Sequence, residues 1–470
     1  MKNAAKLFVP LLLGAVLLLL TGCSLVNFFS TDSLLRAPKL TGQNAALQQA
    51  FEEAVGKDVL LVSPLTGENR SAYVLRDCNG DRVEEAFVFY VRQGAESTVH
   101  IHLLEYAEDC WRSAADIAGN GSEIYKVEFF NIDNDTDQEL AVTWTVSDSK
   151  RDKTLSLYTI GYSNEGRQGE INPLASVQVF DYFVSDFDRD GQNELFYVYF
   201  DSTEEKNGAY AKLLKYAENE TVLYPVNEVK FDARASNLLS VRYDFSDGYY
   251  EFFADCAVGE NAYYTELILY NPETAELSLP VKNLYEDPVA QTRRSVPLFA
   301  DDIDGDGRVE IPAEHVMEGS FIINYPESES VPLRCVSWLR FSAESLAPTM
   351  SYYVNDVYGY RVKLDPVLGQ LHIVSDYMTG AVQFHRAEAA YQPDDAEWDG
   401  EDYGETEPEY SADYGTENLL FTLSPGDGGQ EQRGPGAETP VRIEVTDLGR
   451  SLGITRKTVE ALIGTGDWTA

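Results

Sequence analysis

An acidic nonapeptide occurs four times in this 470-residue chain, with an oxygen-bearing side chain at its first, third, fifth and ninth positions. The copies occupy residues 77–85, 131–139, 186–194 and 302–310, which we name acidic loops 1 to 4. Their first residues are separated by steps of 54, 55 and 116 residues, and the last step is about twice the others. A repeat of this length is typical of solenoids, propellers or other arrays of one supersecondary unit.

The oxygen-bearing side chains suit a hard cation, because Ca²⁺ takes six to eight oxygen ligands. Glycines such as Gly305 and Gly307 permit the positive-φ turns that fold so short a loop around an ion. A tight turn also favours Asp, Asn and Gly, but it does not require alternate carboxylates followed by a glutamate. An EF-hand is disfavoured, since its twelfth-position Glu and flanking helices are absent. The predicted ligands of structural calcium are Asp77, Asn79, Asp81 and Glu85; Asn131, Asp133, Asp135 and Glu139; Asp186, Asp188, Asp190 and Glu194; and Asp302, Asp304, Asp306 and Glu310.

Two further positions continue the repeat in eroded form. Residues 244–251 fall one step beyond loop 3, and residues 355–359 fall one step beyond loop 4. Both stretches read as turns between aromatic strands. We therefore expect about six units.

Short hydrophobic strands flank each loop, as Tyr182-Phe-Val184 and 195–200 do around loop 3. Three to four such strands per unit, with few helical patterns, are typical of a propeller blade, and a strand-rich solenoid is the alternative. The predicted fold is all-β, a β-propeller of about six to seven blades over residues 57–350. Residues 351–470 are predicted to form a last blade or a small C-terminal α+β subdomain, with disordered acidic inserts at 391–417 and 424–440.

The motif D-x-D-G-D-G-x-x-E of loop 4, set between strands, resembles the FG-GAP/VCBS-type repeats of integrin-like β-propellers. The resemblance covers about residues 71–311 and implies that such loops bind Ca²⁺. Residues 69–90 are also similar to propeller-bearing lipoproteins of Gram-positive, clostridia-like bacteria. The chain departs from the motif at Arg82 and Thr136, so this comparison implies occupancy first at loops 3 and 4, and then at loops 1 and 2.

The N-terminus has the pattern of an export signal. Lys2 and Lys6 precede an apolar run from residue 7 to residue 20, which is short for a membrane span. The run ends in Leu20-Thr-Gly-Cys23, which resembles the lipobox of bacterial lipoproteins and implies cleavage of residues 1–22 and lipid modification of Cys23. The alternative is an ordinary signal peptide or an uncleaved anchor in which the cysteine is coincidental. We expect a tether over 23–42 and a location on the outer face of the cell membrane.

The remaining signals bear on partners and chemistry. Residues 43–56 have helical apolar spacing and predict a helix that packs on the first unit. Residues 445–463 resemble a DNA-reading helix-turn-helix, but a net charge of −42 argues against nucleic acid as a partner. The pair His100 and His102 could ligate a transition metal, but two histidines on a half-exposed strand are the favoured explanation, because no third ligand of the right kind is near them in the sequence. Four cysteines besides Cys23 leave disulfide pairing open.

No sequence motif identifies a catalytic centre. The predicted function is therefore a membrane-anchored, calcium-stabilised propeller that acts as a binding or scaffold module for a protein or glycan ligand at the cell surface. The alternative is a glycan-directed envelope hydrolase that uses carboxylates in the propeller channel.

Overall fold

The computed structural model describes residues 43–94, 98–133, 135, 137–145, 153–162, 169–217, 222–231, 236–280, 291–326, 328–342, 345–355, 357–387, 416–425 and 441–465. The predicted signal peptide, Cys23 and the tether lie outside these residues, as do 391–415 and 426–440 of the two predicted inserts. No helix in the described part of the chain is long and apolar enough to cross a membrane.

Four antiparallel sheets follow one another along the chain, which we number blades 1 to 4. Their strands are β1 (Val59–Leu61), β2 (Tyr73–Arg76), β3 (Glu85–Arg92), β4 (His100–Ala107) and β5 (Cys110–Ala118); β6 (Ile124–Phe130), β7 (Glu139–Thr145), β8 (Lys153–Tyr162) and β9 (Gly169–Val179); β10 (Asp181–Ser185), β11 (Glu194–Asp201), β12 (Gly208–Ala217) and β13 (Val222–Lys230); and β14 (Asn237–Ser246), β15 (Tyr249–Ala257), β16 (Tyr263–Asn271) and β17 (Glu276–Ser278). In blades 2 to 4 the strands pair in chain order, and in blade 1 both β1 and β2 pair with β3.

A nine-stranded sheet follows blade 4, in the order β25-β24-β23-β22-β18-β19-β20-β21-β26. Its strands are β18 (Ile311–Tyr325), β19 (Ser328–Ser342), β20 (Ser345–Asn355), β21 (Tyr360–Lys363), β22 (Leu371–Asp376), β23 (Val382–Arg386), β24 (Leu419–Pro425), β25 (Val441–Val445) and β26 (Ile463–Thr465). The parallel pairing of β18 with β22 joins two antiparallel sets. Strand β20 runs through residue 350, so one continuous sheet spans the predicted domain boundary there.

Successive blades pack face to face, and each interface has an apolar core. Phe87 and Leu140 lie in the core shared by blades 1 and 2, and Leu157 lies with Leu195 between blades 2 and 3. Between blades 3 and 4 the rings of Phe196 and Phe252 stack with centroids 3.6 Å apart. Repeated antiparallel four-stranded sheets that pack on their sequence neighbours are the blades of a β-propeller, so the predicted all-β propeller fold is confirmed.

Three short helices cover the ends of this array. Helix α1 (Gln43–Val55) lies on blade 1, where Phe51 is 1% exposed and its ring centroid is 5.3 Å from that of Tyr90. Helices α2 (Asp447–Ser451) and α3 (Arg456–Leu462) form the stretch that resembles a DNA-reading motif. Val459 of α3 is fully buried in the core of the nine-stranded sheet, so the pair serves as packing helices. Single-turn 3₁₀ helices occur at Pro366–Leu368 and Thr416–Asn418.

Candidate metal-binding loops

Each acidic loop occupies the same place in its blade. Loop 1 joins β2 to β3, loop 2 joins β6 to β7, and loop 3 joins β10 to β11. Loop 4 leads into β18, and its base is closed by two backbone hydrogen bonds between Asp301 and Glu310. Loops 1 to 3 thus connect two paired antiparallel strands of a blade, and loop 4 precedes the first strand of the nine-stranded sheet.

Neighbouring loops also contact one another. Gln138 N of loop 2 donates to Cys78 O of loop 1 at 2.7 Å. Gln192 Nε2 of loop 3 donates to Ile132 O of loop 2 at 3.3 Å. Val309 N of loop 4 donates at 2.8 Å to Asp244 Oδ2, which belongs to the eroded copy in blade 4. The loops therefore form a continuous acidic row along one edge of successive blades.

The side chain of the ninth-position glutamate is hydrogen-bonded to the backbone of its own loop in all four loops. Each glutamate accepts a hydrogen bond from the backbone N–H of the second loop residue, over distances of 2.9, 2.7, 2.8 and 3.2 Å in loops 1 to 4. All four side chains are at most 3% exposed, so they face their own loop backbone. Burial raises the pKa of Glu85 and of Glu194 to about 7 and that of Glu139 to about 8.

The first-position aspartate stabilises the turn of the loop by a hydrogen bond. In loops 1, 3 and 4 its carboxylate accepts a hydrogen bond from the backbone N–H of the sixth residue, at 3.0, 3.0 and 2.8 Å. That sixth residue has φ of 71° at Arg82, 94° at Gly191 and 88° at Gly307. Arg82 therefore adopts the left-handed conformation that the motif reserves for glycine.

Carboxylates converge in three of the four loops. In each of loops 2, 3 and 4, three described carboxylates can place one oxygen each within 4.8 Å of the other two. These sets are Asp133, Asp135 and Glu139; Asp186, Asp188 and Glu194; and Asp302, Asp304 and Asp306. The predicted ligands Asp77, Asn79, Asp81 and Glu85 of loop 1 form no such group; instead Asn79 Nδ2 donates to Glu85 Oε1 at 3.1 Å.

A lysine lies among the carboxylates of loop 3. Lys215 Nζ of β12 is 2.5 Å from Asp188 Oδ2, 2.5 Å from Asp190 Oδ2 and 3.4 Å from Glu194 Oε1. Burial lowers the pKa of Lys215, but its hydrogen bonds to the two aspartates and the charge of Glu194 outweigh burial and raise it. The ammonium group therefore stays charged and supplies positive charge inside the loop.

An arginine holds the same place in loop 4. Arg340 of β19 donates from Nε to Glu310 Oε1 at 2.9 Å, and its Nη2 contacts both Glu310 Oε1 and, at 2.9 Å, Asp306 Oδ2. In loop 2, by contrast, no lysine, arginine or histidine of the described residues pairs with Asp133, Asp135 or Glu139. Sequence reasoning missed both cations, because each lies on the strand that pairs with the strand leaving the loop, about 20 to 30 residues beyond the loop along the chain.

The histidine pair and the four cysteines noted in the sequence have defined surroundings in the structure. His100 Nδ1 and His102 Nδ1 lie 3.4 and 3.8 Å from Asp116 Oδ1, so an acidic neighbour exists that the sequence did not identify. Tyr90 also donates to Asp116, at 2.8 Å, and helix α1 covers this cluster. Cys78, Cys110, Cys256 and Cys335 are all free thiols.

A cavity of about 540 Å³ opens between strands of the nine-stranded sheet. Four tyrosines contribute to its lining, namely Tyr325, Tyr353, Tyr358 and Tyr377, together with the polar residues Arg334, Asn355, Ser375 and Asp376. The rings of Tyr325 and Tyr377 meet edge to face with centroids 5.2 Å apart, and they are 41% and 50% exposed. Aromatic walls with a few polar groups are typical of small-ligand sites.

No family model matches the chain, and no curated protein matches it. Among solved structures, Bacillus subtilis levansucrase is 10% identical, with 62% of this chain and 85% of that chain covered and a TM-score of 0.26. An exo-β-1,3-galactanase from Phanerochaete chrysosporium is 10% identical over 71% and 82% of the two chains, with a TM-score of 0.26. Chaetomium thermophilum Sqt1 is 8% identical over 67% and 68%, with a TM-score of 0.28. Likeness at this level does not bear on the activity of the chain.

Proposed function

We propose that this chain is a lipid-anchored binding module of the cell surface whose propeller blades are stabilised by calcium. The observation that carries the proposal is loop 2. There, Asp133, Asp135 and Glu139 converge to within 4.8 Å, and no side-chain cation of the described residues neutralises them. Mutually repelling carboxylates at this distance favour a bound cation, and carboxylate oxygens are the ligands that Ca²⁺ takes.

The residues of loop 2 have both the ligand type and the placement that a calcium ion requires. Glu139 is fixed by Ile132 N, while Asp135 is exposed and can be reached from solvent. Loop 1 offers the oxygens of Asp77, Asn79, Asp81 and Glu85 as a second candidate set. An ion at either loop would tie together the two strands that the loop connects and couple folding to the calcium concentration.

Ligand binding is proposed at the tyrosine-lined cavity. Its aromatic rings offer flat apolar faces, and the charged side chains of Asp376 and Arg334 contribute polar groups to the lining. This combination suits a glycan, which presents apolar ring faces and hydroxyl groups together. Anchoring is proposed through Cys23, on the strength of the lipobox-like sequence that precedes it.

Equilibrium dialysis of the full-length, metal-stripped chain against Ca²⁺ tests the metal proposal. We expect bound calcium in the unchanged chain and loss of an ion from Asp133→Asn, with Asp109→Asn, an exposed aspartate in the turn between β4 and β5, as the control. No bound calcium in the unchanged chain would refute the proposal. Anchoring is tested separately, since Cys23→Ser should release the chain from membranes.

A further inference from the structure

We infer that Lys215 and Arg340 take the place of the metal ion in acidic loops 3 and 4, so that these two loops need no calcium. The inference deepens the proposed function and rests on it, because it assigns which of the predicted calcium loops use a metal. It also reverses the order of occupancy that the completeness of the motif implies.

Strand register puts both cations at one equivalent position. Leu195 pairs with Leu214 in blade 3, and Ile311 pairs with Leu339 in the nine-stranded sheet. The next residue along β12 or β19, Lys215 or Arg340, therefore lies opposite the ninth-position glutamate of its loop. Two chemically different cations at the same structural position indicate that positive charge is what this position supplies.

The contacts are those expected of a replacement ion. Lys215 Nζ touches three carboxylates of loop 3, and Arg340 touches Glu310, with Asp306 at 2.9 Å and Asp304 at 3.9 Å. Their side chains are only 15% and 20% exposed. A divalent ion bound to the same oxygens would lie within a few ångströms of a fixed like charge, and such an arrangement is unfavourable.

At the equivalent position of the described strands, blades 1 and 2 have no cation. Ala86 pairs with Leu104 and Leu140 pairs with Tyr158, so the equivalent positions hold Glu105 and Thr159. Glu105 adds negative charge near loop 1, and Thr159 is neutral. Calcium, on this inference, is confined to loops 1 and 2.

The test counts calcium bound per full-length chain in matched variants. Asp188→Asn should leave the count unchanged, whereas Asp133→Asn should lower it by one. Lys215→Met should raise it by one, and Lys212→Met, which removes a lysine of the same strand that pairs with Glu228, should not. Thr159→Lys, which places a cation in blade 2, should lower the count by one and keeps the test decisive if Lys215→Met does not fold.

Two outcomes would overturn the inference while the proposed function stands. One is loss of an ion from Asp188→Asn, and the other is an unchanged count in Thr159→Lys. If neither the unchanged chain nor Lys215→Met binds calcium, the proposed calcium function fails. The replacement role then depends on thermal melts without metal, in which Lys215→Met must melt below Lys212→Met; equal melting temperatures would refute it.

Discussion

Lys215 Nζ lies 2.5 Å from Asp188 Oδ2, and this contact joins the third strand of blade 3 to the loop between its first two strands. The contact offsets repulsion between carboxylates of the acidic row, in a chain whose net charge is −42. In blade 3 the positive charge beside the acidic loop comes from the chain itself. Blade 2 has no such residue among those described, and there we propose a metal ion.

Glu251 should make the stability of the chain depend on pH. It is 2% exposed, and burial, together with the charge of Asp244, raises its pKa to about 8. Because the folded state holds this proton more tightly than the unfolded state, whose glutamate pKa is about 4.3, stability should fall as pH rises from about 4.5 to about 8. Urea titrations across that range should show a smaller fall for Glu251→Gln, by about 2–4 kcal/mol. Glu273→Gln, at an exposed position, should behave like the unchanged chain.

The buried pair of Arg294 and Asp255 should be essential to blade 4. Both side chains are fully buried, Arg294 Nη2 donates to Asp255 Oδ1 at 2.8 Å, and Arg294 also bonds three backbone carbonyls. Arg294→Met leaves a buried carboxylate without its counter-ion, and we expect a loss of about 3–5 kcal/mol in urea unfolding. The control is Arg242→Met, which breaks the half-exposed pair with Asp301 and should cost at most about 1 kcal/mol. Equal losses would contradict the assignment.

Arg82→Gly should stabilise the chain. Arg82 is exposed, and its φ of 71° lies in the left-handed region, which costs an ordinary residue about 1–2 kcal/mol. Since glycine adds unfolded-state entropy, the net gain should be about 0.5–1 kcal/mol in chemical unfolding. Arg112→Gly, within the extended strand β5, should instead destabilise the chain. A destabilising Arg82→Gly would show that the side chain itself is needed.

Tyr377 should contribute to ligand binding at the cavity. Its ring is half-exposed against Tyr325 and forms part of the cavity wall. Calorimetry with soluble cell-wall glycans should show at least about tenfold weaker binding by Tyr377→Ala, equivalent to about 1.4 kcal/mol. Tyr249→Ala, an exposed tyrosine of blade 4, is the control and should bind normally. Identical affinities for the two variants would place the glycan elsewhere.

The local parts of the fold could be predicted from the sequence because they depend on spacing and turn chemistry. The acidic loops, helix α1 and the turns at 247–248 and 357–359 occur where the pattern indicates. Lys215 and Arg340 could not be predicted in this way, since their role depends on strand register and on the direction of a side chain from a third strand. The parallel pairing of β18 with β22 is equally non-local, and it joins the two antiparallel sets of strands in the nine-stranded sheet.

The most direct test of the central claim is a thermal melt of the full-length, metal-stripped chain, first with EDTA and then with stepwise Ca²⁺ or Mg²⁺. A ligand that binds only the folded state stabilises it by about 2.7 kcal/mol at 100 times its dissociation constant, so we predict a Ca²⁺-selective rise of about 3 °C for each bound ion in a chain of this length. Asp133→Asn should reduce that rise, and Asp188→Asn should not. No calcium-dependent rise in a sample shown to be metal-free would contradict the account and leave the acidic loops as turns alone.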